Sequence, residues 1–575
     1  MKRVLLVIIF ITTYVGAYAQ VVRDADEALK MAQEFWPKKK GAEQSSQVLA
    51  YEEKEGNHPY YYVFNRGNNE GFVIICADKR VRRILGYSDT GSFDISAIPE
   101  HMRSWLNVYK EELKDLAITP DSLLKVNYGQ FTLSKARKKG SQSFAPAVKP
   151  LLGNINFDQS YPYNAYCPQN CVTGCVATAA AQLMRYYQYP KQPSRKPHSY
   201  TWNGTSLGSN FNTPYDWANM LPTYGYNGQG ATQRQAEAVA LLMYEAGVSC
   251  DMSYGASSAA NSMKMCHSLV EYFGYDEGIM GYPRDAFTEA DWVFYLKREL
   301  NSGRPVFMCG QGNNGGHAFV CDGYDSNGLF HINWGWNGKS NGYFSISNLN
   351  PSALGAGGGS GAYNRDVWFI GGIRPKQGGK KAYLLSTNGL TVNKSFGRNQ
   401  QFQFSPRRLT NSSMFEFNGT LGVALYKDGK FFKVIAKQAI SKFPEGNWFD
   451  SFEMYATIPR DVKNGTYQMV PVFQAQGDTE WHAVLSGTCN CTDVNITSTN
   501  VTMEFNYKDH FNEMTDDVSE VVPQPAPTDV IVPPFKVNPI DDNVMPGEDF
   551  VLFGGDNTKV KEEEDDDDDN ILPGE

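Results

Sequence analysis

The stretch Thr173-Gly174-Cys175-Val176-Ala177-Thr178-Ala179-Ala180-Ala181-Gln182-Leu183-Met184 sets a glycine directly before a cysteine. Behind the cysteine, strong helix formers run on to Tyr189 and stop at Pro190. Ala, Gln, Leu, Met and Arg carry the lowest helix cost, so the run predicts a helix with Cys175 in its first turn. A thiol there meets unpaired backbone N–H groups and the positive end of the helix dipole. Both favour thiolate over thiol, which predicts a Cys175 pKa below the free value. The segment therefore reads as the seat of a nucleophilic sulfur. Taken alone it equally suits a structural cysteine buried on an Ala-rich core helix.

A nucleophilic sulfur needs a base, and the chain has eight histidines. His317 follows Gly315-Gly316, where backbone can come close, and precedes the short apolar strand pattern Ala318-Phe319-Val320-Cys321. His331 competes, although it alternates with apolar residues in Leu329–Trp334 and also suits a plain sheet position. His58, His101 and His267 lie in the first unit or in polar helical patterns. His198 follows a proline in a turn-rich segment, and His482 and His510 sit in the later accessory region. A Cys and a His far apart in sequence but adjacent in space are the working pair of thiol hydrolases.

Working outward, 575 residues with 41% hydrophobic and 13% aromatic content are ample for several folded domains. The net charge of −9 is concentrated in the tail, where Glu562–Glu564 and Asp565–Asp569 carry eight acidic groups. No broad basic surface remains, which argues against nucleic-acid binding. Met1-Lys2-Arg3, the apolar run Val4–Ile11 and Ala17-Tyr18-Ala19 form the pattern of a secretory signal over 1–19, so export is expected. No later stretch approaches the length of a membrane span. Ten cysteines are sparse for the length, and the spacing of Cys167, Cys171 and Cys175 matches neither zinc nor redox motifs. The acidic block lacks the spaced ligands and turn glycine of a calcium loop. Neither metal nor cofactor is expected.

Residues 20–144 form a first unit, with helical spacing over Asp26–Trp36 and Ile98–Leu116 and strand patterns at Tyr60–Phe64 and Gly71–Cys76. The basic, aperiodic Lys135–Ser143 then reads as a linker or a site for nicking. Residues 145–375 run from the Cys175 helix into short strands, an α+β layout. The glycine run 355–361 reads as a loop. From 380 to 507 the pattern is of short alternating strands, with Asp428-Gly429 as a hairpin turn, which predicts a β-sandwich. The rest, 508–575, is Pro-rich and then acidic and is expected to be largely disordered.

Thr173–Ala179, Gly315–Val320 and Asn333-Trp334-Gly335-Trp336, together with Tyr215-Asp216-Trp217 and Asn350–Gly355, resemble the signature blocks of the streptopain family of secreted bacterial cysteine peptidases. Gly71–Ile74, Asp78-Lys79-Arg80 and Ile84–Ser88 resemble that family's inhibitory propeptide, and the overall build is similar to the interpain-like members. The resemblance implies a papain-like catalytic domain over 145–375, preceded by an α+β propeptide over 20–144 and followed by the β-sandwich. It implies a thioester mechanism with Cys175 as nucleophile and His317 as general acid and base. Gln159 matches the family's oxyanion-hole glutamine. Trp334 matches the residue that shields the histidine, Asn333 either orients it as a side-chain amide does in papain-like enzymes or leaves that contact to backbone, and Gly316 and Ser258 fall where the family lines its substrate groove. Protein or peptide substrates follow, with a bulky apolar residue two positions before the cut. The propeptide is then an intramolecular inhibitor, removed by cleavage within Lys135–Ser143 to leave a start near Ala145. Two other readings use the same residues: a thiol acyl transferase on this fold, and a non-catalytic exported binding protein in which the β-sandwich does the work.

Overall fold

The computed structural model describes residues 22–36, 46–117, 144–312, 315–346, 367–487 and 489–506. The expected signal sequence over 1–19, Lys135–Ser143, Asn350–Gly355 with the glycine run, and the tail from 508 lie outside the described residues.

The first unit opens with α1 (Ala25–Phe35), whose N-cap Asp24 accepts the Glu27 N–H at 2.8 Å. Four antiparallel strands follow, β1 (Gln47–Glu55), β2 (His58–Arg66), β3 (Phe72–Cys76) and β4 (Ile84–Ser88), and then α2 (Glu100–Ala117). Tyr60–Phe64 is buried throughout rather than on alternate residues, because both faces of the sheet are covered. Tyr62, Phe64, Val73 and Ile75 pack with Ala28 and Ala32 of α1. Tyr61, Val63, Phe72 and Ile74 pack with Met102, Leu106, Tyr109 and Leu113 of α2.

The second unit carries α3 (Cys175–Tyr187), the hairpin β5 (His198–Trp202) and β6 (Thr205–Ser209), α4 (Gln233–Ser249) and α5 (Ser262–Glu271). It continues with β7 (Met280–Pro283), α6 (Glu289–Asn301), β8 (Val306–Gly312), β9 (Gly315–Tyr324), β10 (Phe330–Asn333), β11 (Gly342–Phe344) and β12 (Trp368–Gly371). Every residue of α3 from Cys175 to Met184 is buried, and its run of alanines lets neighbouring elements close in on all sides. The helix stops two residues short of the expected Tyr189. Gln188 takes a left-handed conformation (φ 46°) and returns its N–H to Arg185.

One antiparallel sheet of ten strands unites the two units in the order β1-β2-β3-β4-β11-β10-β9-β8-β12-β7. The seam is β4 against β11, with Tyr87 opposite Tyr343 and Gly86 opposite Phe344. A Cβ on Gly342 would lie 2.3 Å from the Tyr87 carbonyl oxygen, so the backbones meet only because this side chain is missing. Across the seam the Tyr109 hydroxyl of α2 lies 2.9 Å from Leu85 O and 2.7 Å from Ser345 O, one carbonyl from each unit.

The third unit is a sandwich of a five-stranded and a seven-stranded sheet. Phe402, Phe404 and Leu409 from one sheet interdigitate with Leu421, Val423, Met469 and Val494 from the other. The expected hairpin joins Phe417–Lys427 to Lys430–Phe443, with positive φ at both Asp428 and Gly429. Met414 and Phe415 insert into the core around α3–α5, which fastens the sandwich to the second unit. All ten cysteines are free thiols. Among the described residues no helix is long and apolar enough to cross a membrane.

Candidate active site

Cys175 is the first residue of α3. Gly174 before it has φ 86°, and a Cβ there would lie 2.8 Å from Met252 Sδ and 3.2 Å from Ser258 Cβ. Only glycine allows this approach. The backbone N–H groups of Ala318, Val176 and Cys175 itself are close enough to favour a charged sulfur, which puts it beside β9 next to His317. The expected depression of its pKa is not found. Burial raises the thiol above its ordinary 9.0, the Glu100 carboxylate pushes the same way, and the three N–H groups only oppose them. With the Cys175 residue only 9% exposed, its thiol is too dry to hold a charge without a cation beside it.

That cation is absent because His317 is engaged elsewhere. Its Nε2 lies 2.8 Å from Ser104 Oγ of α2, and the His101 ring meets it edge-on at 4.7 Å. His101 Nδ1 accepts from Trp336 Nε1 at 3.1 Å. Burial, followed by the repulsion from His317, takes His101 down to about 3, so it is neutral. Burial also lowers His317, with Glu100 opposing. Among the described residues, Cys175 and His317 form no hydrogen bond with each other. The first unit thus occupies the His317 imidazole. His331, the competing base, is held by the buried Asp322 (Nδ1 to Oδ1, 2.6 Å) and packs on Tyr343 at 5.1 Å within the sheet.

The remaining expected residues form two groups. Gln159 lies on the segment facing α3: its carbonyl accepts the Thr173 N–H at 3.1 Å, and its side-chain amide makes no hydrogen bond among the described residues. Gly316 is exposed on β9 opposite Gln311. Ser258 is turned inward, donating to Val172 O at 2.6 Å and accepting from Gly255 N at 3.0 Å, so it braces the approach to Cys175. Asn333 gives its Nδ2 to Ile155 O at 2.9 Å and accepts Gly335 N–H at 3.0 Å, so its amide is spent on the Gln159 segment and not on His317. Trp334 is 1% exposed, packs on Phe319 and Phe344, and donates to Ser340 O.

Ser104 was not singled out by the sequence, His101 was set aside there as part of the first unit, and Trp336 entered only within a signature block. His101 and Ser104 sit three apart on an amphipathic helix, a spacing that signals a shared face but not what the face meets.

Residues 157–344 match the Peptidase C10 family, and residues 19–113 match the Spi protease inhibitor family. Streptopain of Streptococcus pyogenes is 37% identical over 351 residues, covering 56% of this chain and 82% of that protein. The thiol protease/hemagglutinin PrtT of Porphyromonas gingivalis is 32% identical over 366 residues, 61% of this chain and 41% of that one. Among solved structures, a prointerpain A fragment of Prevotella intermedia is 30% identical, covers 58% of this chain and 100% of its own, and gives a TM-score of 0.46. Active interpain A of the same organism is 32% identical over 42% of this chain, with a TM-score of 0.36. With streptopain 37% identical over 82% of its own length and the family match spanning both Cys175 and His317, the chain belongs to the Peptidase C10 family of papain-like cysteine endopeptidases.

Proposed function

We propose that the protein is an exported zymogen in which Cys175 and His317 hydrolyse peptide bonds once α2 has left the groove. The observation that carries this reading is the Ser104–His317 hydrogen bond, which lets the propeptide silence the base without covalent change. After release, His317 turns to Cys175 and forms the thiolate–imidazolium pair. The sulfur bonds to the substrate carbonyl carbon, and Gln159 Nε2 with the Cys175 N–H holds the oxyanion, each donor worth about 3–4 kcal/mol. The C–N bond breaks as His317 protonates the departing amine. Water, deprotonated by His317, then cleaves the thioester and returns the thiol. Trp334 shields the site, Asn333 and Ser258 keep its walls in place, and Gly316 runs beside the substrate chain. A bulky apolar residue two positions before the cut is preferred.

In this reading residues 1–19 direct export, 20–144 inhibit, 145–375 catalyse, and 380–507 form an accessory sandwich ahead of the tail 508–575. Maturation within Lys135–Ser143 leaves a start near Ala145. Ala145 is already seated there, its N–H on Asn301 Oδ1 at 3.0 Å and its carbonyl on the Tyr324 hydroxyl at 2.7 Å, so a new terminus keeps its place. Incubation of the purified full chain beside Cys175→Ala tests the proposal. Conversion to a shorter form, with Cys175 then labelled by an epoxide thiol-protease inhibitor, is expected for the native chain alone. A full-length chain that is already fully active, or a processed one that takes no label, would overturn it.

A further inference from the structure

On α3 the residues 175, 178 and 182 share one face, and Thr178 and Gln182 are the polar exceptions in an otherwise apolar, fully buried run. Gln182 is 0% exposed. Its Oε1 accepts the Phe157 N–H at 3.1 Å, two residues before Gln159. The same peptide strand is held by Asn337 N–H on Phe157 O at 3.0 Å, by Thr173 N–H on Gln159 O at 3.1 Å, and by Asn333 on Ile155 O at 2.9 Å. Of these ties, the one from Gln182 comes from the nucleophile's own helix, about 10 Å along the axis from Cys175.

Gln182 makes this tie at a cost. Its Nε2 is buried and has no partner among the described residues; it lies beside Gly335, whose added Cβ would stop 3.8 Å away. A buried donor left unmade destabilises the fold, and a leucine or methionine would fill the space without that loss. The oxygen is the useful half of the side chain. It fixes the strand that carries one oxyanion donor at a set height above the helix that carries the other.

We infer that Gln182 is a positioning residue for the oxyanion hole, acting through the Phe157 backbone on Gln159; this rests on Gln159 being an oxyanion donor. An error of an ångström in such a donor costs rate steeply, because its contribution is realised only at the oxyanion's position.

The test uses the processed enzyme and two reactions of the same thiol. Peptide hydrolysis passes through an oxyanion, whereas alkylation by iodoacetamide does not. Gln182→Met, which removes the acceptor at nearly constant volume, should lower kcat by about 10- to 100-fold. KM, the alkylation rate and its pH profile should stay within about 2-fold. Gln182→Glu, a neutral acid when buried, keeps an accepting oxygen and should recover hydrolysis to within about 3-fold of native. Added to Gln159→Ala, the Met change should cost less than about a further 3-fold, because the donor it positions is already gone. If Gln182→Met fails to mature, Gln182→Asn, which withdraws the oxygen by one methylene, carries the same expectation. Unchanged hydrolysis, or equal losses in hydrolysis and alkylation, would overturn the inference while Gln159→Ala still impairs hydrolysis. If Gln159→Ala alone leaves hydrolysis intact, the oxyanion assignment fails first.

Discussion

Acidification should loosen the propeptide by a predictable amount, because α2 carries an uncharged histidine into a dry contact with a second one. Docked, His101 sits at about 3, against an ordinary 6.5. The docked form therefore binds fewer protons than the released form. The histidine's depressed pKa costs docking nothing above pH 6.5, and docking weakens progressively as pH falls from 6.5 toward 3. At pH 5 this amounts to about 2 kcal/mol, or about 30-fold in the opening equilibrium. His317, also lowered by burial, adds in the same direction, while the Glu100 carboxylate beside it opposes. The assay is hydrogen exchange of the α2 amides in full-length Cys175→Ala, where self-cleavage is absent, at pH 7.5 and pH 5 after correction for intrinsic rates. His101→Phe keeps a ring against His317 but has no proton to gain, and should lack the 30-fold share while retaining that of His317. Identical pH dependence in the two proteins would refute the reasoning.

Ser104→Ala removes the hydrogen bond on His317 Nε2; at about 1 kcal/mol it should speed self-processing roughly 5-fold, read from the lag before the shorter form appears. Gly342→Ala places a Cβ against the Tyr87 carbonyl and forces the β4–β11 seam apart, weakening propeptide docking by about 1–3 kcal/mol. Once the propeptide is gone the clash is gone too, so kcat/KM of the processed form should match native. Glu299 is held down to about 2 from 4.5, by Arg304 first among its favourable partners and against its burial. The stability it adds is present above pH 4.5 and lost as pH falls toward 2, about 3 kcal/mol in all. Glu299→Gln leaves Arg304 buried and unpaired and should lower the thermal midpoint at pH 7 markedly, with less further loss in acid than the native protein shows.

What could be read from the residues was local. Cys175 was marked by the glycine before it and the helix formers after it, and His317 by its two glycines and the strand behind, while the choice against a core cysteine and against His331 leaned on the resemblance. The Asp428-Gly429 hairpin and the helices over 25–35 and 100–117 followed from turn chemistry and apolar spacing, because those signals lie within a few residues of one another. The place of Gln159 came from resemblance, since nothing in its neighbours marks a loop glutamine as a donor.

Tertiary structure decided the rest. The sequence by itself determined where a thiol could open a helix and where an imidazole could follow a glycine pair, because helix propensity and backbone freedom act over short range. It did not determine their charge. The Cys175 thiol is neutral in this form because Ser104 and His101, more than seventy residues upstream, take up His317 and exclude water. Desolvation depends on every atom packed around a group, and that sum exists only once strands β4 and β11 have met.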